Sequence, residues 1–414
     1  MKILKRILLA LLIIILVIQI PFVYRRYKMG QLAQKIAQSS ADRIIGDDPQ
    51  FKEYKGVIHA HTSLGGHSTG GFDELINAAN SNDLDFVLMT EHWSDAYDTA
   101  ALTLNGVYGK TLFVGGNEID TADGDRFLMI PGSADAAGLR NLPTTAVLEK
   151  LHAENRLALI TYPEKFKSWD SNFDGDEVLS LHTESKKINP VTALGDLIWS
   201  YPAYPQLTLA THLRRPDENL QKFDEIATKR PISLFAGTDA HSNIGFHLFG
   251  DDAGNKLINI KIDPYATSFG VVRMHVLIEK DKPLDRGSLI EAIKAGRFFV
   301  GLDAIGDTTG FRFALSRGDE TIHMGGTLAP SEYPRLTLNV PPETNVEPYH
   351  LGVPPQMSVR IYRNGELFPL DLVPAIYSKQ SFEPGTYRVE VYRDDLGPPF
   401  DKMPWILSNP IYLR

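Results

Sequence analysis

A chain of 414 residues is too long for one small domain and leads us to expect two globular units. Its 43% hydrophobic and 22% charged content is ordinary for a packed core, and a formal charge of -9 argues against non-specific wrapping of nucleic acid, which needs a basic footprint. The lack of cysteine removes disulfides, thiolate ligands and a cysteine nucleophile together, so a bound metal would have to rest on His, Asp, Glu or water.

Ile7 to Tyr24 is an almost unbroken apolar run of 18 residues, at the short end of what spans a bilayer. Lys2, Lys5 and Arg6 precede it, and Arg25, Arg26 and Lys28 follow it. A cleavable signal would carry a shorter apolar core and a small-residue cleavage site. Here Pro21-Phe22-Val23-Tyr24 runs straight into bulky basic residues, so residues 1–28 read as a single-pass anchor. The flanking charges are nearly balanced and discriminate little between orientations. We expect the N-terminus inside and the body on the periplasmic or extracellular side. Residues 29–50 read as a short helix or stalk.

From Phe51 short apolar runs alternate with amphipathic stretches. The expected strands are Lys55–Ala60, Asp85–Thr90, Thr111–Gly115, Arg126–Ile130, Leu157–Thr161, Val178–Leu181, Leu207–Thr211 and Ile232–Ala236. Helical patterns cover Asp73–Leu84, Thr145–Asn155 and Leu220–Lys229, and this alternation predicts a mainly parallel sheet or barrel. Ser288–Ala295 is the last good helix, ended by Gly296, and beyond Gly310 the helices stop. Phe311–Leu315, Arg335–Val340, Ser358–Arg363, Gly385–Tyr392 and Ile411–Leu413 read as strands, with a tight turn at Asn364-Gly365. The expected units are therefore an α/β body over 51–310 and a small all-β sandwich over 311–414.

The chemistry gathers at strand ends. Val57-Ile58 leads into His59-Ala60-His61, and His67 follows the turn at Gly65-Gly66, which places three imidazoles within nine residues. Side chains two apart on a strand share a face, so His59 and His61 suit one divalent transition metal. Phe86–Thr90 is followed by Glu91 and His92, Leu112–Gly116 by Asn117 and Glu118, and Ile232–Ala236 by Gly237-Thr238-Asp239-Ala240-His241. In a parallel β/α barrel the active site collects where strands end, several strands each supplying a residue.

These segments resemble the PHP family, named for polymerase and histidinol phosphatase, whose members carry H-x-H, T-D-H, G-x-E, H-P and G-S-D-A-H in that order. The matching residues are His59-Ala60-His61, Thr90-Glu91-His92, Gly116-Asn117-Glu118, Tyr162-Pro163 and Gly237-Thr238-Asp239-Ala240-His241. The tail Pro404–Tyr412 is similar to that of the branch that includes carbaryl hydrolase. The resemblance implies a distorted (β/α)7 TIM-like barrel with up to three divalent metals. One metal would take His59, His61, Glu118 and Asp239, and another His67, His92 and His241. A third would need two more histidines, but Tyr162 stands where the family has the histidine of H-P, and a phenol, with an ordinary pKa near 10, is a poor ligand at neutral pH. Two metals, among Zn, Mn and Fe, are the expectation. The family's acidic residue in T-D-H, here Glu91, orients the site without binding metal.

Tyr162, His182 and Arg214 are candidate substrate contacts. His182 follows the strand at Val178–Leu181 and serves either the site or the packing around it. Arg214 can clamp an anion or cap a helix end. Asp123, Asp125 and Arg126 read as a solvated loop. With no G-x-S-x-G elbow, a hydroxide generated by the metals is the expected nucleophile. The resemblance favours a phosphoesterase acting on a small anionic substrate. A carboxylic or carbamic ester or amide hydrolase, and a degenerate binding protein of the cell envelope, remain the alternatives.

Overall fold

The computed structural model describes residues 2–41, 48–243, 245–250, 256–330, 334–341, 357–369 and 382–414. Parts of the expected stalk and sandwich, at 42–47, 342–356 and 370–381, lie outside the described residues.

The N-terminal apolar run forms a continuous helix, Lys2–Ala41, that passes through Pro21 and on into the segment expected as a stalk. It is long and apolar enough to cross a membrane, and its apolar window is exposed throughout. Its 18-residue apolar stretch spans about 27 Å at helical rise.

The rest is a mixed α/β fold with several sheets. At the centre of the largest, Phe51–Ala60 lies between Arg273–Glu279, paired antiparallel, and Phe86–Met89, paired parallel. Thr111–Val114 continues the sheet on one side and Phe298–Gly301 on the other. A second sheet runs in the order Ser233–Gly237, Gly175–Ser180, Leu157–Ile160, Arg126–Ile130, Asn117–Asp120 and Glu91–His92. The pairing is mixed: in this sheet three of five pairings are parallel, as expected, and Arg126–Ile130 is antiparallel to both its neighbours, while in the larger sheet Arg273–Glu279 is antiparallel to both of its own. The tight connection of Arg126 to Asp120 through Thr121–Asp125 makes a hairpin, which a βαβ crossover cannot.

The two sheets touch at three places. Phe86–Met89 runs directly into Glu91–His92, and Thr111–Val114 into Asn117–Asp120. At the third, the amide of Thr238 donates to Ile58 O at 3.0 Å, that of Ala240 to His59 O at 3.1 Å, and that of His61 to Ala240 O at 3.0 Å. All the predicted ligand-bearing strand ends meet in this zone.

One expected strand is a helix. Leu207–Ala210 lies in the helix Pro205–Ala210, which Thr211 caps, with Pro205 in its first turn, where a missing N–H costs nothing. A short buried apolar run does not distinguish helix from strand, and Leu207 and Ala210 are buried at helical spacing. Several observed strands were not expected from the sequence, Arg273–Glu279 and Phe298–Gly301 among them; both are buried on two faces and show no alternation.

Past residue 310 the strands divide. Arg312–Arg317 pairs with Glu320–His323 and Arg335–Asn339. Gly385–Tyr392 joins Ile406–Ser408, which pairs with Phe298–Gly301 and so extends the main sheet. The Asn364-Gly365 turn holds Ser358–Arg363 against Glu366–Leu367, with φ of 51° and 86° at its two central residues. Two positive φ values are what a two-residue hairpin of right-handed strands requires, and Asn-Gly supplies them at least cost.

Candidate metal centre

His59 interrupts its own strand. Its φ is 68°, and the pairing with Phe86–Met89 slips by one residue between Ile58 and Ala60. Simple alternation therefore does not bring His59 and His61 together; a bulge re-aims His59, as bulges beside sites commonly do. Asp239 and Tyr162 also sit in the left-handed region, at φ 45° and 54°. Three such residues around one point store local strain that the surrounding packing must hold. Gly237 is needed for space: a Cβ there would come within 1.7 Å of Glu177 Oε1.

Four ligand atoms converge. His59 Nε2 lies 3.5 Å from Glu118 Oε2 and 3.4 Å from Asp239 Oδ1. His61 Nε2 lies 3.4 Å from each of the same two oxygens. All four atoms are buried, and none has a hydrogen-bond partner. Leaving four buried polar atoms unpaired is costly unless something else satisfies them. A tetrahedron with arms of about 2.1 Å, usual for nitrogen and oxygen on zinc, has edges of about 3.4 Å. The set therefore fits a divalent cation, and the buried His, Asp and Glu clusters here can hold metal ions.

The protonation states suit ligands. Burial lowers the His61 pKa to about 3, so its ring is neutral. Burial works against ionisation of Glu118, but His59, His61 and His92 outweigh it and hold its pKa at about 2. Asp239 is likewise held well below the ordinary range, where His59, His61 and His241 overcome its burial. For His59, burial is outweighed by Glu177, Asp239 and Glu118, which raise its pKa; their field favours a positive charge at this ring, as a proton or as a metal at Nε2.

A second group adjoins the first. His61, His92 and His241 bring ring nitrogens close enough for one ion, and His61 stacks on His92 and on His241 at centroid separations of 4.6 and 4.4 Å. His241 Nδ1 donates to Asp239 O at 2.9 Å, which leaves Nε2 as the lone-pair nitrogen. His67 is exposed at the rim, its ring edge-on to His92 at 4.7 Å. His182 lies 5.3 Å from the His241 ring and joins it and Asp239 in a third such group.

Around the ligands stands a layer the sequence reading largely missed. Glu177 Oε1 lies 2.7 Å from His59 Nδ1, and Thr161 donates to its other oxygen. Arg126 donates to Glu118 Oε1 at 3.1 Å and to Asp120 at 2.7 Å, and its guanidinium lies over the Tyr162 ring. The expectation of a solvated loop at Asp123, Asp125 and Arg126 is corrected for the last two: Asp125 is buried, and Arg126 is the first residue of its strand and directed at Glu118. The Tyr162 hydroxyl donates to Asp239 Oδ2 at 2.8 Å, so the residue in place of the family histidine reaches the site as a donor. Burial raises its pKa further, which keeps the phenol protonated. Glu91 accepts from Thr62 N at 2.9 Å and from the Thr62 and Thr103 hydroxyls at 2.7 and 2.9 Å, pinning the loop after His61. Arg214 is exposed and Arg215, its neighbour, is tied to Glu390, so neither side chain is brought to the centre.

No family profile matches the sequence, and no curated protein matches it. Among solved structures, the chain is similar to PsfC from Pseudomonas syringae PB-5123, at 13% identity and a TM-score of 0.30, with 58% of this chain and 88% of that chain covered.

Proposed function

We propose that this protein is a membrane-anchored, metal-dependent hydrolase of the PHP type, acting as a phosphoesterase. The observation that carries the reading is the convergence of His59 Nε2, His61 Nε2, Glu118 Oε2 and Asp239 Oδ1, all buried and unpartnered, at tetrahedral edge lengths. The order of the five motifs supports the family assignment. Two strand-to-strand continuations and one set of backbone hydrogen bonds link the two sheets and support a distorted seven-stranded barrel, counting each pair of consecutive strands across a junction as one.

In this reading His59, His61, Glu118 and Asp239 hold one divalent ion, and His92 and His241, with His67 at the rim, hold another. Ions so held supply water activation and polarisation of a phosphoryl oxygen at neutral pH. The chain's residues do the rest. Glu177 fixes the His59 ring by its Nδ1, which directs Nε2 inward. Tyr162 occupies Asp239 Oδ2 and so reserves Oδ1 for the centre. Arg126 and Lys165 line a recess of about 100 Å³ beside Tyr162 and favour an anionic substrate there. The two cations are why a phosphoester is preferred over a neutral ester or amide.

The N-terminal helix is read as a single transmembrane anchor with the body outside. Metal analysis of the purified full-length protein tests the main reading. Stoichiometric Zn, Mn or Fe is expected, together with phosphate-ester hydrolysis that falls to background in His59→Ala and Asp239→Ala. A wild-type chain that binds no divalent metal, or variants with undiminished hydrolysis, would remove the basis of the proposal.

A further inference from the structure

Beside the metal centre lies a second, larger space. It has a volume of about 400 Å³, within the ~300–1,000 Å³ usual for small-molecule sites. Asp239 and His182, which belong to the cluster with His241, are part of its lining, and Leu181, Ile188, Ala193, Leu209, Leu213 and Ile262 make much of the wall. An ionic substrate has no need of such a wall. An aliphatic chain does, since each buried methylene contributes about 0.8 kcal/mol.

The helix that carries Ala193, Pro190–Trp199, faces three ways. One side lines the cavity. A second packs on the N-terminal helix: a Cβ on Gly195 would meet the Phe22 ring at 2.1 Å, Trp199 Nε1 donates to Gln19 at 2.8 Å, and Arg25 Nε donates to Asp196 at 2.8 Å. Asp196 in turn lies 3.2 Å from His212 Nε2, and His212 is part of the cavity wall. The third side exposes Val191, Leu194 and Ile198, at 71%, 54% and 57%, on one helical stripe. Its contacts fall where the apolar run ends in Tyr24, Tyr27 and basic residues, the signature of a membrane boundary. An exposed apolar stripe at that depth has the bilayer as its neighbour.

Resting on the hydrolase reading, we propose that the substrate is an amphiphile drawn from the membrane: a phosphoester head at the metal centre, an aliphatic tail in the cavity, entry past the Pro190–Trp199 helix. Hydrolysis adds water across the ester. The water oxygen bonds to phosphorus, the bond from phosphorus to the leaving oxygen breaks, and that oxygen takes the proton.

The test uses full-length, metal-loaded protein in nanodiscs and non-hydrolysable alkylphosphonates from methyl to octyl, measured by calorimetry. Affinity is expected to rise at least 30-fold along the series in the wild type and to stay nearly flat in Ala193→Phe, which fills the cavity. Ile188→Trp fills it from another element and serves if the first variant misfolds. No rise in the wild type, or the same rise in wild type and both variants, would overturn the proposal. Because binding is read without turnover, a chain-length effect with no ester hydrolysis would keep the amphiphile site and reject the hydrolase. Short phosphate esters cleaved without any chain-length effect would do the reverse. For the entry route, octyl p-nitrophenyl phosphate is supplied in vesicles and as monomer. The ratio of the two rates is expected to fall at least tenfold in Leu194→Asp/Ile198→Asp, and an unchanged ratio would reject entry from the bilayer.

Discussion

Glu177 stands behind His59: its Oε1 lies 2.7 Å from Nδ1, across the ring from the Nε2 that faces Glu118 and Asp239. Both side chains are fully buried, so the pair is shielded from water. A carboxylate in this place fixes the tautomer of a ligating histidine and makes it a better donor to metal. Glu177→Gln keeps the shape and removes the charge. We expect metal affinity to fall about 10- to 100-fold, measured by competition against a chelator of known affinity, with secondary structure unchanged. Unaltered affinity would make Glu177 a packing residue only.

Tyr162 supports the other side of the centre. Its hydroxyl satisfies Asp239 Oδ2, a hydrogen bond to a charged group worth about 1.5–3 kcal/mol. Tyr162→Phe should therefore lower metal affinity or turnover by about tenfold or more while leaving the metal count per chain the same. A loss of one metal per chain would instead mean that the phenol oxygen is itself a ligand.

The two predictions concern residues of unequal legibility. The convergence of His59, His61, Glu118 and Asp239 was legible because side chains able to hold a metal are few in type and here stand at the ends of apolar strands. Glu177 was not, because it lies inside a buried strand, Gly175–Ser180, whose acidic residues break the apolar pattern without forming any motif. Its role depends on a bulge at His59, and a bulge is set by tertiary packing. The fold shows the same division. Local signals such as Asn364-Gly365 marked a turn correctly, while Leu207–Thr211 and the doubly buried Arg273–Glu279 gave patterns that fit more than one conformation.

Arg126 binds Glu118 through Oε1, leaving Oε2 to the cluster, and lines the recess beside Tyr162. If it also meets the substrate anion, Arg126→Ala should raise KM for a phosphate ester about tenfold, and Arg126→Lys should recover part of the loss as a point charge without the fork. Metal content, measured in the same preparations, separates this from damage to Glu118. A fall in metal content with KM unchanged would assign Arg126 to ligand support alone.

Chelation should destabilise the fold, because the four unpaired atoms repel or remain unsatisfied without a cation. With free metal at about 100 times its Kd, binding to the native state alone contributes about 2.7 kcal/mol. A drop of several degrees in Tm on removal of metal, reversed on readdition, is the expected result of thermal scans. Equal Tm in both states would place the cation elsewhere.

A further ion pair lies outside the metal centre. His275 is buried between two carboxylates: Nδ1 lies 2.7 Å from Glu53 Oε1, and Nε2 lies 3.3 Å from Asp303 Oδ2 and 2.9 Å from Thr308 Oγ1. Burial alone would lower its pKa, but Asp303 and Glu53 outweigh it and raise the value to about 9. The folded chain therefore holds this proton more tightly than the unfolded chain, whose histidines titrate near pH 6.5. Stability from the pair is complete below about pH 6.5 and is lost as pH rises through about 9, by on the order of 3 kcal/mol. Denaturant midpoints between pH 6 and 10 should fall for the wild type. His275→Gln, which cannot carry the charge, should begin lower and lose much of this slope. If both proteins show the same pH dependence, the imidazole is neutral in the fold and Glu53 relies on Arg312, which donates to its other oxygen at 2.5 Å.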